Sequence, residues 1–484
     1  MNIDLATMEH HNLRHLASGE LAVRPGFRRL YTPLVGRKIS AAFSVKMPFV
    51  EELRHYIVDH STTAVADPKI RILDEDFNEW QVHSLYGSKV PEAISLTLVL
   101  DQVIISSPDF ATVWGIAGSG LVTATKEPSV HTALTVLDVP KGISVNWDQR
   151  CVIADGPVLY FSDQSNLAVG SPRTFTGANT AIPGGHIYGL HVTAGGSLVI
   201  CTTEGVFAMP ETAGMTSTIT LDIQKLSNHR TLEYNSTCVA KSRLYALTAR
   251  GYAIVDTDTS QEDQLDEAYQ PRSYFRRVQR PDWRKARIVE TEAGPIISDE
   301  IGAFHSIDIP NQQRSWQILT HDQEDSKIRA TLRRRDGEEL IVTEQAIYRW
   351  IGNFDGEQAL TSENATTVQG VANKPIPAPP QTSPTLRHIQ AGADNTSGNI
   401  LIAHRAKQLD GQAPGTQRGL KIGTSDWDAG STFDTPALRS IRKDFADQTD
   451  DLALEVGAEN PLTRLNPTCE VQFKGINPKR PTDR

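Results

Sequence analysis

Short apolar runs return along this chain at a spacing of about 47 residues. In order they are Tyr56 to Val58, Val103 to Ile105, Cys151 to Ile153, Leu198 to Ile200, Tyr245 to Leu247, Ile296 to Ile297 and Leu340 to Val342. Later copies share a fuller pattern: an apolar strand, a polar pair ending in Gly or Ala, then a second apolar strand. The turns are Asp155-Gly156, Glu204-Gly205, Arg250-Gly251 and Gln345-Ala346, and the copy at Glu300 to Gly302 carries one extra residue. Val158-Leu159-Tyr160, Val206-Phe207, Tyr252-Ala253-Ile254 and Ile347-Tyr348 follow those turns. Glycine reaches the positive φ that tight hairpins need. Hairpin units at this period are the mark of propeller blades. The pattern therefore predicts an all-β chain built on a six- or seven-bladed β-propeller, with an additional C-terminal β module.

Between the repeats, Ala93 to Leu100 and Ser217 to Ile223 read as strands, and Arg333 to Gly337 ends a strand at a hairpin turn. No long amphipathic helix is evident, and Gln261 to Ala268 reads as an exposed loop. Four regions are expected. Residues 1–35 form an N-terminal arm, whose 27–35 stretch is a candidate for closing the ring. Residues 36–355 form the propeller. A Pro-rich stretch, 356–385, with Pro375, Pro377, Pro379, Pro380 and Pro384, reads as a semi-rigid spacer. Residues 386–484 form the second β module, with strand candidates at Ile400 to Ala403, Leu452 to Val456 and Cys469 to Phe473.

Composition narrows the function. The chain has 484 residues and a formal net charge of -10, which argues against gripping nucleic acid through its phosphates. Cys151, Cys201, Cys238 and Cys469 form no CxxC pair, so they read as buried thiols rather than zinc ligands. The first residues carry no apolar signal-like core, and no apolar run approaches the ~20 residues of a membrane helix. A cytoplasmic site of synthesis is expected.

Each candidate site has a plainer explanation. Asp256, Asp258, Ser260 and Glu267 alternate as calcium ligands do, but Gln261 stands where a calcium loop needs glycine, so a solvated acidic loop is expected. Asp426 to Phe433 resembles an Asp box, a local hairpin device in which a carboxylate holds backbone and an aromatic packs beneath. The carboxylates Asp74, Glu75, Asp76, Glu79, Asp163, Asp299 and Glu300 fall in no interpretable acid–base frame. His10, His11 and His15 read as part of a polar arm rather than a metal site. Arg276, Arg277, Arg280, Arg284 and Arg287, interleaved with Tyr274, Phe275 and Trp283, read as an interface with an acidic partner in preference to nucleic acid. No nucleophile elbow, Walker loop or dinucleotide fingerprint is present. No catalytic, cofactor-binding or metal-binding residue is assigned.

Three segments carry a family resemblance. Asn12-Leu13-Arg14, Gly19-Glu20-Leu21 and Arg24-Pro25-Gly26 to Leu30 match the form N-x-R … G-x-L-x-x-R-P-G-x-x-x-L. Val145 to Asp163 and His191 to Phe207 resemble a mid-propeller motif with a hydrophobic-x-x-Ser-Asp ending, and Asp426 to Phe433 resembles a C-terminal S-D-G-G-x-T-F. Together they resemble the tail nozzle or tail-hub proteins of short-tailed bacteriophages, including the packaged-DNA stabilisation factors. The resemblance implies a non-enzymatic virion protein that assembles as a homohexameric ring below the portal adaptor. Such a ring would carry fibres or spikes, and genomic DNA would pass it without sequence-specific binding. An acidic channel wall would let DNA leave without adhering. Two alternatives belong to other classes: a propeller glycosidase or polysaccharide depolymerase, and a baseplate or tail-tip hub of a longer-tailed phage.

Overall fold

A computed structural model describes forty-one strands. Side chains are described within 26–46, 52–116, 140–162, 175–210, 222–257, 286–298 and 328–350, some short loops excepted. Flanking and intervening strands, including those of 2–23 and 354–475, are described at the level of backbone pairing. The Asp-box candidate 426–433, the basic run 274–284, Asp163, Asp258, Ser260, Glu267, Asp299, Glu300 and the 211–221 stretch lie outside the described residues.

The chain is a β-propeller. Six separate four-stranded antiparallel sheets are present, and a seventh four-stranded run leads a nine-stranded sheet. In chain order these blades span 37–84, 95–123, 143–181, 187–227, 237–264, 287–319 and 328–350. They are blades 1 to 7 below. The periodic apolar runs are the second strand of each blade, as in Leu53–Ser61, Arg150–Asp155 and Glu339–Thr343. Second strands are covered on both faces by neighbouring blades, so they read as continuous apolar runs rather than alternating ones. First strands of successive blades adjoin one another and line the axis.

Among the described residues, seven apolar clusters fill the seams. Val45, Tyr56, Val103 and Val113 pack blade 1 on blade 2, for example, and Ile39, Ile57, Leu332 and Val342 pack blade 7 on blade 1. Blade 7 takes its outermost strand from the other end of the chain: Phe27–Tyr31 pairs antiparallel with Ile347–Trp350. Phe27 is buried there, with ring centroids 5.9 Å from Tyr348 and 5.6 Å from Trp350.

Strands from both termini extend the propeller. Glu9–His11 lies parallel to Ser315–Leu319 of blade 6 and antiparallel to Gly370–Ile376, continuing into Leu452–Ala458, Ile400–Ala406 and Arg418–Ile422. A second sheet joins Asn2–Asp4 and Leu21–Val23 to Arg464–Gly475 and Thr382–Ala393. Gly370–Ile376 and the start of Thr382–Ala393 fall within the 356–385 stretch, and both strands are paired in sheet. Glu262–Gln264 likewise forms a short edge strand on blade 5 where the sequence suggests a loop.

Candidate functional site

One face of the propeller carries the N-terminal ends of the seven first strands and the turns between second and third strands. The short stretch before blade 2 reaches over the axis on this face. Pro91 and Ala93 are buried, Ala93 against Trp147 and Ile187 of blades 3 and 4. Between them, the Glu92 carbonyl oxygen accepts from Asn235 Nδ2 at 2.8 Å and from Arg287 at 3.2 Å. Those donors stand at the starts of blades 5 and 6, on the far side of the ring. The Glu92 amide donates to Asp109 at 2.9 Å. The mouth is thus tied across by the backbone of one residue, Glu92. Burial draws the Arg287 guanidinium down to about 10, and the Glu92 charge opposes the shift.

Beside this tie lies an aromatic cluster. His186 and Tyr188, at the start of blade 4, have centroids 4.5 Å apart, and Tyr188 meets Tyr234 edge-on at 4.9 Å. His186 Nε2 and the Tyr234 hydroxyl are hydrogen-bonded at 3.1 Å. Burial pushes the Tyr234 phenol up to about 12, with smaller contributions from Tyr188, Asp109, Asp155 and Glu92. The turn glycines hold their loops close: Gly205 has φ +146°, and a Cβ there would collide with the Ser227 carbonyl oxygen.

The second polar constellation is buried in the face of blade 1 that meets blade 7. Asp59, fully buried, accepts from Arg37 Nε at 2.7 Å and from Arg71 Nε at 2.5 Å, and Arg71 continues to Glu79. Burial opposes the charge on Arg71, but the hydrogen bonds and charges of Asp59 and Glu79 outweigh it, and its pKa rises. Nearby, Glu344 of blade 7 pairs with Lys38 of blade 1 and with Arg329. Each carboxylate here is matched by cations at contact distance, which suits structure better than proton transfer.

A third lies between blades 4 and 5. His191 Nε2 and Thr237 Oγ1 are 2.8 Å apart, and burial holds the imidazole down to about 4. Cys201 is buried beside Thr237 with its thiol pushed up to about 12, and burial raises Cys238 as well. Cys151, Cys201 and Cys238 are buried and in no disulfide, an environment that does not activate a thiol.

The sequence candidates scatter. Asp74 caps its own turn, accepting from the Asp76 and Asn78 amides at 3.0 Å and 2.8 Å, and its carboxyl pKa is lowered. Glu79 belongs to the blade 1 ladder, and Arg287 to the mouth. No group of three or more metal-ligating side chains occurs among the described residues. Sequence reasoning missed the mouth, because Glu92, Asn235 and Arg287 are far apart in the chain and meet only in the fold.

No protein-family model and no curated protein matches the chain. Among solved structures, it resembles YCF48 bound to a D1 peptide, at 12% identity and TM-score 0.41 over 68% of this chain and 97% of that one. It also resembles PorZ of Porphyromonas gingivalis, at 11% identity and TM-score 0.39, over 73% of this chain and 43% of PorZ. The extracellular domain of BT4673 from B. thetaiotaomicron gives 11% identity and TM-score 0.32, over 68% of this chain and 40% of that one. These likenesses are of fold. No described helix is long and apolar enough to cross a membrane.

Proposed function

We propose that this chain is a structural virion protein: a subunit of the tail nozzle or hub of a short-tailed phage, acting as a self-associating building block and performing no reaction. The reading rests on the segment from Asn12 to Leu30, whose spacing resembles the opening of that family. It is supported by what that segment does in the fold. Leu13–His15 and Leu21–Val23 belong to the sheet built from both termini, and Phe27–Tyr31 closes blade 7. A propeller whose two ends are woven into an added β module suits a part that must hold its shape under load. In this reading the DNA path is the axis of the subunit ring, since the propeller's own mouth is tied across at Glu92. A homohexamer, an adaptor contact and an attached fibre or spike are the partners the proposal carries.

The test is native mass spectrometry and electron microscopy of the purified chain, alone and with a cognate portal–adaptor complex. A closed ring that adds to the adaptor is the expected outcome. A monomer that ignores the adaptor and hydrolyses host polysaccharide would replace this reading with the glycosidase alternative.

A further inference from the structure

The turn between the third and fourth strands of blade 1 carries a strained aromatic residue. Phe77 has φ +65°. That left-handed region ordinarily goes to glycine or asparagine, and a bulky side chain there is an outlier. The turn is built to hold it. The Phe77 amide donates to the Asp74 carbonyl at 3.1 Å, and the Asp74 amide donates to the Asn78 carbonyl at 3.0 Å. The Asp74 carboxylate accepts from the Asp76 and Asn78 amides and, at 3.1 Å, from Asn78 Nδ2. Strain of this kind persists only where the surroundings over-determine it, and it points to a task for the ring.

The ring lies between two blades. It stacks on His55 of blade 1, 8° from parallel with centroids 5.0 Å apart. It also stacks on Tyr31, at 5.9 Å and 28°. Tyr31 ends the closing strand Phe27–Tyr31 and pairs with Ile347 of blade 7. The same turn meets blade 7 again, where Glu75 accepts from the Arg335 amide at 3.2 Å. It therefore grips the outermost strand of blade 7 and the hairpin between that blade's first two strands. Beneath the ring, His55 is fully buried. Its Nδ1 is 3.1 Å from Ser44 Oγ, which also accepts from the Arg333 amide at 3.0 Å, and its Nε2 is buried with no partner. Arg334, on the blade 7 hairpin, disfavours an imidazolium here. Asp74 favours it, but its two oxygens already serve its own turn. Beyond Phe77, burial pushes the Tyr31 phenol up to about 12, so it stays neutral. An imidazolium would bring two N–H donors to a site that offers one hydroxyl, which is costly in a buried place.

We infer that the turn 74–78 is an acid-sensitive latch on the closing strand: Phe77 clamps Tyr31 onto blade 1, and a proton taken up by His55 releases the clamp, so that residues 27–31 part from blade 7 before the other blades unfold. The closing strand is where the N-terminal arm enters the propeller, so release uncouples the arm from blade 7. The sign follows from burial. The closed form holds His55 down to about 4, whereas the open form returns it to its ordinary 6.5. Opening is therefore unaided above about pH 6.5 and increasingly favoured as pH falls toward 4. The latch is independent of the ring assembly proposed above, and either can fail alone.

The experiment is hydrogen exchange with mass spectrometry on the full chain at about pH 7.5 and about pH 5, corrected for intrinsic exchange. Peptides covering 27–31 and 347–350 should open about thirtyfold more at the lower pH, while Leu198–Thr202 and Gly205–Met209 of blade 4 stay protected. His55→Phe keeps an aromatic stack without a titrating group and should abolish the acid step. Phe77→Gly relieves the strained φ and removes the ring, and should open 27–31 about tenfold at the higher pH. Acid that loosens all blades together would overturn the inference, as would an acid step that survives His55→Phe. So would a Phe77→Gly chain whose 27–31 segment is as protected as the parent's. The two-pH comparison of the parent decides the point even where Phe77→Gly fails to fold.

Discussion

The seam between blades 7 and 1 and the seam between blades 2 and 3 meet the same packing demand with different chemistry. Between blades 2 and 3 an apolar cluster around Val99, Ile104 and Ile153 is joined by hydroxyls: Thr97, Ser106 and Ser144, with Oγ separations of 2.8 Å. The Asn146 side chain donates to the Leu98 carbonyl at 2.8 Å. These partners lie 38 to 48 positions apart. Between blades 7 and 1 an apolar cluster is joined by charges, and Lys38 meets Glu344 across 306 positions. Loop-closure entropy grows logarithmically, so joining ends over the longer span costs about 2 kcal/mol more. Charged, directional contacts at the closing seam offset part of that cost and fix how the last blade sits on the first. The Ile39 amide donates to the Glu344 carbonyl at 2.7 Å and sets the same register through the backbone.

Asp59→Ala should expose this difference most strongly. It removes the buried carboxylate that Arg37 and Arg71 share, leaving them only the more exposed Asp67 and Glu79, and the loss should be about 3–5 kcal/mol. Ser144→Ala at the blade 2–3 seam removes only neutral hydrogen bonds and should cost about 1 kcal/mol. Urea denaturation of the two variants beside the parent measures both. Equal losses would mean that the closing seam has no special dependence on charge.

Acid should act on the closing side as well. His55 of blade 1 is fully buried, stacks on Phe77 with centroids 5.0 Å apart, and bonds Ser44 through Nδ1 at 3.1 Å. Burial draws its pKa down to about 4; Arg334 lowers it further and Asp74 opposes. A depressed folded value means the stabilising contribution is whole above about 6.5 and is lost as pH falls toward 4. The full term is about 3 kcal/mol. His55→Phe should remove that share of the acid sensitivity, read as a flatter melting temperature between those pH values. His191 keeps its own share, because burial depresses it in the same sense.

How much of this was legible from sequence follows from the range of each contact. The blade period was, because second strands such as Leu198–Thr202 are buried on both sides and must be apolar along their whole length. Phe27 and Leu30 stood out as apolar anchors in a polar arm, and both pack in seams of blade 7. The extra module was legible as strand runs at Ile400, Leu452 and Cys469, but not its weaving with Asn2–Asp4 and Glu9–His11, since register between chain ends leaves no local pattern. The mouth was illegible for the same reason. Glu92 meets Asn235 over 143 positions and Arg287 over 195, and each is unremarkable among its own neighbours.

A smaller effect separates a seam held by a side chain on main chain from one held by ions. Trp147 is buried between blades 3 and 4 and donates from Nε1 to the Gly196 carbonyl at 2.8 Å. Trp147→Phe keeps much of the ring and loses the donor, leaving that carbonyl short of a partner. The expected cost is about 1–3 kcal/mol, insensitive to salt, by urea denaturation at low and high ionic strength.

Lys38→Met should move stability least. Lys38 Nζ lies 3.1 Å from Glu344, but its side chain is 42% exposed, and Glu344 keeps Arg329. Solvent screens such a pair, so the loss should be about 0.5 kcal/mol and should shrink toward zero in 1 M salt. Asp59→Ala, by contrast, should keep most of its penalty in the same salt, because its carboxylate is fully buried between two arginines. If salt erased both losses alike, the closing seam would be hydrated, and burial would not be what distinguishes Asp59 from Glu344. If the Lys38→Met loss were the same at every ionic strength, the charge on Lys38 would not be its source.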